Sequence, residues 1–200
     1  MKKLFLGLGA LALSIAAHAT EFVEGDHYSK LPQRIATAPV TEVYSVYCPY
    51  CYKYERAVIP TIAATYGERF AAVHLSSKGE FGATATGLLA VTKLTHPAGY
   101  QAAKMAWFVE IYEQARDFQN EAEFLEVGLK AAGLSREQYQ AGLARPDVQA
   151  LIAQWDAVAV PLAKQHGVPA ILVNGQYQVK ISRATSVDML RRLIDFLLTQ

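Results

Sequence analysis

Cysteine is nearly absent. The 200 residues hold two, Cys48 and Cys51, so the chain cannot be a small fold stapled by several disulfides. No second C-x-x-C and no His pair at ligand spacing accompanies them, which disfavours zinc and leaves no metal site to name. An excess of one charge is missing too: 19 basic residues stand against 18 acidic ones, a balance that gives no reason to expect nucleic acid as a partner. Internal repeats and low-complexity tracts are lacking. Past the N-terminus, no apolar run approaches the roughly 20 residues that cross a bilayer. What the chain does have is apolar material, 52% of its residues, enough for the core of one domain, or of one domain with an insertion.

The N-terminus is of a different kind. Lys2 and Lys3 precede an uncharged run from Leu4 to Ala17, closed by Ala17-His18-Ala19. A basic start, a short apolar stretch and small residues at the end make a secretory signal peptide over residues 1–19, with cleavage expected after Ala19. The run is too short for a membrane anchor. Without Lys2 and Lys3 the mature chain has one basic residue fewer than its acidic ones.

The two cysteines lie in Cys48-Pro49-Tyr50-Cys51, between a segment rich in β-branched and aromatic residues, Val40 to Tyr47, and a helical pattern from Tyr52 to Tyr66 that Pro60 should kink. Cys48 is thereby predicted at a helix N-terminus, where unpaired amide N–H groups and aligned peptide dipoles favour a thiolate over a thiol. Pro49 suits the first turn because it has no N–H to lose. Cys51, one turn further in, should be less exposed and act as the resolving thiol. A C-x-x-C at a strand-to-helix junction is the redox motif of thioredoxin-like folds, whereas a purely structural bridge closing so short a loop would constrain the unfolded chain little.

Along the rest of the chain, residues 21–31 read as an edge strand and residues 69–75 as the parallel strand of a βαβ unit. Helical patterns then follow over 83–95, 97–115, 121–132 and 135–144, with Asn120 and Ser135 as N-caps. Residues 146–166 read as a long helix that Pro161 interrupts. Asn174-Gly175 between two strand-like runs signals a type I′ hairpin, and an amphipathic helix capped near Ser186 closes the chain. The expected fold class is α/β, with residues 20–79 and 146–200 forming a thioredoxin-like domain and residues 80–145 a helical insertion. Trp107, Phe108, Ile111 and Tyr112 are assigned to the core of that insertion, and His74 to a satisfied strand position.

Cys48-Pro49-Tyr50-Cys51-Tyr52, the preceding Glu42-Val43-Tyr44-Ser45-Val46-Tyr47, Glu55, and Gly167-Val168-Pro169-Ala170-Ile171-Leu172-Val173-Asn174-Gly175 together resemble the DsbA family of periplasmic thiol:disulfide oxidoreductases, DsbL-like members included. The resemblance covers essentially the whole mature chain. It implies that Cys48 is the attacked and attacking sulfur and that Cys51 completes the disulfide. It also implies that the Val168-Pro169 bond is cis and turns the Val168 backbone toward a substrate segment. Glu42 and Glu55 match the acids beneath the dithiol, where they would tune the Cys51 thiol; a solvated helix position is the competing reading for Glu55. No cofactor is implied. The implied partners are exported proteins with free cysteines and a DsbB-like membrane reoxidase passing electrons to quinone, and a monomer is expected. Two departures stand out. Tyr50 replaces the family's commonest histidine, removing a positive charge from beside the thiolate, and Ala72 occupies the strand position where the family often has a basic residue. Competing readings are a disulfide isomerase or reductase on the same fold and a redox-silent chaperone or peptide-binding module.

Overall fold

The computed structural model describes residues 21–200; the expected signal peptide lies outside the described residues. Five strands, β1 (Tyr28–Lys30), β2 (Val40–Tyr44), β3 (Phe70–His74), β4 (Ala170–Val173) and β5 (Tyr177–Val179), form one sheet in the order β1-β5-β4-β2-β3. Only β2 and β3 run parallel, and they are joined by the helices α1 (Pro49–Ala57) and α2 (Ile59–Tyr66). The expected succession of elements is the one the chain adopts.

Alternation along the strands assigns the faces. Leu172 and Ala170 belong to the apolar cluster under the long helix α7 (Pro146–His166). Ile171 and Val173 belong to the cluster under α2 and the last helix, α8 (Val187–Leu198). That last helix buries Leu190, Leu193, Ile194 and Leu197, the i, i+3, i+4, i+7 stripe of an amphipathic helix, and the Ser186 hydroxyl caps it by accepting from the Met189 N–H. At the hairpin, Asn174 and Gly175 both have positive φ, and the Gln176 N–H closes the turn on Val173 O at 3.0 Å.

Between β3 and α7 stand four helices: α3 (Gly82–Thr95), α4 (Tyr100–Tyr112), α5 (Glu121–Ala132) and α6 (Arg136–Leu143). Asn120 and Ser135 cap α5 and α6 through their side chains. Trp107 and Phe108 are fully buried, with Ile111 and Tyr112 packed partly buried beside them. The Trp107 indole stacks on Phe124 at 4.8 Å and donates to its carbonyl at 2.8 Å. Gly128 closes this packing, because a Cβ there would lie 2.3 Å from the indole and 2.6 Å from Leu88. Overpacking against a ring held on both sides should outweigh the roughly 1 kcal/mol of helix propensity that alanine gains. Gly128→Ala is therefore expected to lower stability by about 2 kcal/mol, read as a fall in the urea midpoint; an unchanged midpoint would mean that the indole can move.

One helix expectation holds and one is corrected. The break expected from Pro60 is present, at Val58 (φ −123°, ψ −55°), two residues before the proline. Proline cannot donate to the carbonyl four residues back and clashes with it, so the first helix ends before that carbonyl would be needed. Pro161, by contrast, does not interrupt α7. Pro161 and Ala157 are both exposed, so water can satisfy the carbonyl that proline leaves without a donor.

Candidate active site

Cys48 is the N-cap of α1. Its backbone is extended (φ −116°, ψ 110°), and its sulfur accepts from the Cys51 N–H at 3.2 Å. The approach to it is held from the sheet. The Cys48 N–H donates to Ser45 O at 3.0 Å, the Ser45 hydroxyl accepts from the Tyr47 N–H, and the Val46 N–H donates to His74 Nε2 at 3.1 Å. Because His74 Nε2 accepts, a neutral ring carries its proton on Nδ1, 2.7 Å from the Thr86 hydroxyl of α3. Burial holds the His74 pKa down at about 3, so the ring stays neutral and keeps this role.

The two sulfurs, present here as free thiols, sit in unlike surroundings. The Cys48 pKa is lowered to about 7. The Cys51 thiol contributes most by hydrogen-bonding to the Cys48 sulfur, the Cys51 and Tyr50 N–H groups and Lys78 add to it, and burial opposes them. Cys51 is fully buried, and its pKa is pushed well above the usual thiol value, first by that burial and then by the Cys48 sulfur. Alkylation of the reduced protein by iodoacetamide should accordingly show a midpoint near pH 7 for Cys48, and one at the ordinary thiol value near 8.5 would contradict the arrangement. The lowered value stabilises the folded dithiol form as pH rises through about 7, fully so above the unfolded thiol's own pKa.

Val168 and Pro169 come against the dithiol, joined by a cis peptide bond, with Val168 O 3.2 Å from the Cys48 sulfur. Two hollows of about 550 Å³ each flank the motif. One runs between Tyr50, Tyr54, Val168-Pro169 and Lys180, the other between Pro49, Tyr52, Arg56 and Tyr112. Tyr50 is 65% exposed at the rim, with Lys53 Nζ 5.3 Å from its ring centroid. Among the described residues, no group of three or more His, Cys, Asp or Glu side chains could hold a metal ion.

Glu42 is fully buried in β2, and neither of its carboxylate oxygens has a hydrogen-bond partner. Burial, with Glu55 adding to it and Lys104 opposing, raises its pKa to about 8. Glu55 is also buried, at 3% exposure, which removes the solvated reading. It lies on the inward stripe Cys51-Tyr52-Glu55-Ile59-Ile62-Tyr66, not on the outer face that its charge suggests. Its carboxylate pairs with the ammonium of Lys104 from α4.

Lys104 was not singled out from the sequence. Beside Glu42 in the sheet stands Ala72, the strand position without a basic residue, and the cation that faces the acids comes from the helical insert. A signal for it did exist. Tyr100, Ala103, Lys104, Trp107 and Phe108 follow i, i+3, i+4, i+7, i+8 spacing, which puts the lysine on the apolar stripe of its helix.

The thioredoxin family model matches residues 33–196. Thiol:disulfide interchange protein DsbL of Lelliottia amnigena is 35% identical, covering 94% of this chain and 92% of its own. DsbA of Pectobacterium carotovorum subsp. carotovorum is 31% identical over 90% and 87%. Among solved structures, DsbL of Salmonella enterica serovar Typhimurium superposes with a TM-score of 0.83 at 33% identity, covering 91% of this chain and 100% of that one.

Proposed function

Because the chain belongs to the thioredoxin family, and within it to the DsbA and DsbL thiol:disulfide interchange proteins, we propose that Cys48 and Cys51 carry its disulfide oxidoreductase activity by passing their disulfide to exported proteins. A substrate thiolate attacks the Cys48 sulfur, the bond between the cysteines breaks, and Cys51 leaves and takes up a proton. A second substrate thiolate then attacks the substrate sulfur of the mixed disulfide, and Cys48 departs as a thiolate. Two electrons and one net proton have entered the dithiol, and the substrate holds the disulfide.

The observation that carries this direction of flow is the contrast between the two sulfurs. A Cys48 thiolate stabilised at about pH 7 is a better leaving group and a more favoured product than an unperturbed thiol gives, so the reduced form is stabilised and the disulfide is more oxidising than one between ordinary thiols. Tyr50 and Pro49 shape the exposed rim, and Val168-Pro169 presents a carbonyl on which a substrate backbone can align. Glu42 and Glu55 tune Cys51, with Glu42 as its proton donor, since a carboxyl with a pKa of about 8 still holds its proton at neutral pH.

Residues 1–19 would direct export to the periplasm and be removed after Ala19. A DsbB-like membrane protein would reoxidise the dithiol. In the domain division, residues 20–79 and 146–200 form the thioredoxin-like part and residues 80–145 the insertion. The deciding experiment is oxidation of reduced ribonuclease by the pre-oxidised protein, with the glutathione equilibrium constant of the dithiol measured alongside. Stoichiometric disulfide transfer and an equilibrium favouring the reduced protein are expected; an equilibrium favouring the disulfide would reverse the assigned direction.

A further inference from the structure

β5 carries one polar side chain between two apolar ones. Tyr177 and Val179 face the cluster under α2 and α8, so alternation along the strand turns Gln178 to the other side. Gln178 stands opposite Ser29 on β1 and Leu172 on β4, and directly opposed residues of antiparallel strands share a face. Leu172 belongs to the cluster that holds both cysteines, which puts Gln178 on the dithiol side of the sheet. It is 4% exposed, and its amide oxygen has no hydrogen-bond partner. It also lines the hollow of about 550 Å³ that runs from Tyr50 along Val168-Pro169. A buried amide left unpaired carries its full desolvation cost, which an apolar residue at the same place would not.

We infer that Gln178 is a specificity-determining residue for the substrate: its amide, at the floor of this hollow, pairs with the carboxamide of a substrate glutamine whose stem lies along the apolar walls. The inference deepens the oxidase reading above and rests on it for the placing of a substrate backbone at Val168. Val168, Pro169, Val179 and Ile181 supply the walls, and apolar walls around a few polar groups are the usual form of a site that selects by orientation. Because Gln178 is nearly covered, a backbone held at the rim does not reach it, whereas a long side chain does. The end group follows from hydrogen-bonding character and charge. An amide carries both donors and an acceptor, and a half-turn about its last side-chain bond exchanges them, so it complements another amide through either end. The hydroxyls of Ser29 and Ser182 also line the hollow and can turn to either role. A carboxylate is less suited. Among the described residues Lys180 is the one charged residue lining the hollow, and its ammonium already donates to Gly25 O. An acid pushed to the floor would lose its water with no free cation to meet it, and a leucine there would leave the amide unpaired.

The test measures the oxidation of reduced two-cysteine peptides in which glutamine, glutamate or leucine occupies, in turn, each position near the first cysteine. In wild type, glutamine at one position should be preferred to leucine by about tenfold in kcat/KM, with glutamate below glutamine. In Gln178→Met, which keeps the length of the side chain without its amide, that preference should vanish or turn toward leucine, with the change falling on KM. Gln178→Leu supplies the same comparison if the methionine variant does not fold. Melting temperatures of both should hold or rise, because an unpaired buried amide is removed. No glutamine preference at any position, or one that survives the substitutions, would overturn the inference; with lowered melting temperatures besides, Gln178 would be merely structural. Glutamate preferred over glutamine would overturn it too, giving the hollow to a carboxylate paired with Lys180. The same peptides with serine in place of cysteine, titrated to saturation, separate this subsite from the oxidase reading. Their glutamine form should shift the ¹⁵N resonance of the Gln178 side-chain amide, and their leucine form should not. An unmoved resonance would remove the subsite, whereas failure of wild type to oxidise any of the cysteine peptides would remove the oxidase reading.

Discussion

Cys51→Ser is expected to turn the protein into a trap for its substrates. The Cys48 sulfur keeps its place at the helix start and its backbone N–H donors, so its thiolate can still exchange into a substrate disulfide, forming a Cys48–substrate bond and releasing one substrate thiolate. In the native protein the Cys51 sulfur, one turn away, can attack Cys48 and expel the substrate. A serine hydroxyl cannot. Net disulfide transfer should vanish, and covalent adducts with cysteine-containing exported proteins should accumulate as bands on non-reducing gels that disappear with dithiothreitol. The double variant Cys48→Ala/Cys51→Ser should show none. A clean lane for Cys51→Ser would remove the scheme. The adduct yield should fall somewhat from the loss of the Cys51 thiol itself, since its hydrogen bond is the largest contribution holding the Cys48 pKa down.

The second large effect concerns stability. Glu42 keeps its proton in the folded protein up to about pH 8, whereas an unfolded carboxyl loses it near 4.5. Between those values the folded state binds one proton more than the unfolded state, so the free energy of unfolding falls as pH rises, by about 1.4 kcal/mol per unit. By pH 7 the accumulated cost is about 3 kcal/mol. Glu42→Leu should remove it, together with two oxygens that no donor satisfies. Urea unfolding of the oxidised form, in which the cysteines do not titrate, should show the variant's gain over wild type smallest at pH 5 and growing through pH 7 and 8. Equal gains at every pH would mean that Glu42 titrates normally. If Glu42 also delivers the proton to Cys51, the stabilised variant should be the slower oxidant.

Much of this could be read from the chain because the relevant signals are local. The motif strand, the Asn174-Gly175 turn and the caps at Asn120, Ser135 and Ser186 each depend on residues within a few positions of one another, and their backbone chemistry is the same wherever the chain goes. The placement of Cys48 at a helix start follows from the same short-range logic. Glu55 and Lys104 show where it stops. Glu55 taken alone reads as a charged residue on the wet side of a helix, Lys104 reads as a charge misplaced on an apolar stripe, and burying either by itself would be costly. Only when the fold brings α4 against α1 does each make the other's burial tolerable, across 49 positions of sequence. The same long-range pairing hides the consequence of Ala72, whose small side chain beside Glu42 leaves the counter-charge to come from elsewhere.

That Lys104 is carried by α4 limits how the molecule could be simplified. A minimal version trimmed to the sheet with α1, α2, α7 and α8 would keep both acids and lose the ammonium that faces them. Such a miniature would have to be redesigned with neutral residues at 42 and 55 before it could be expected to hold together. Transplanting the helices alone into another scaffold would have the opposite fault, placing a lysine in an apolar seam with nothing to answer it.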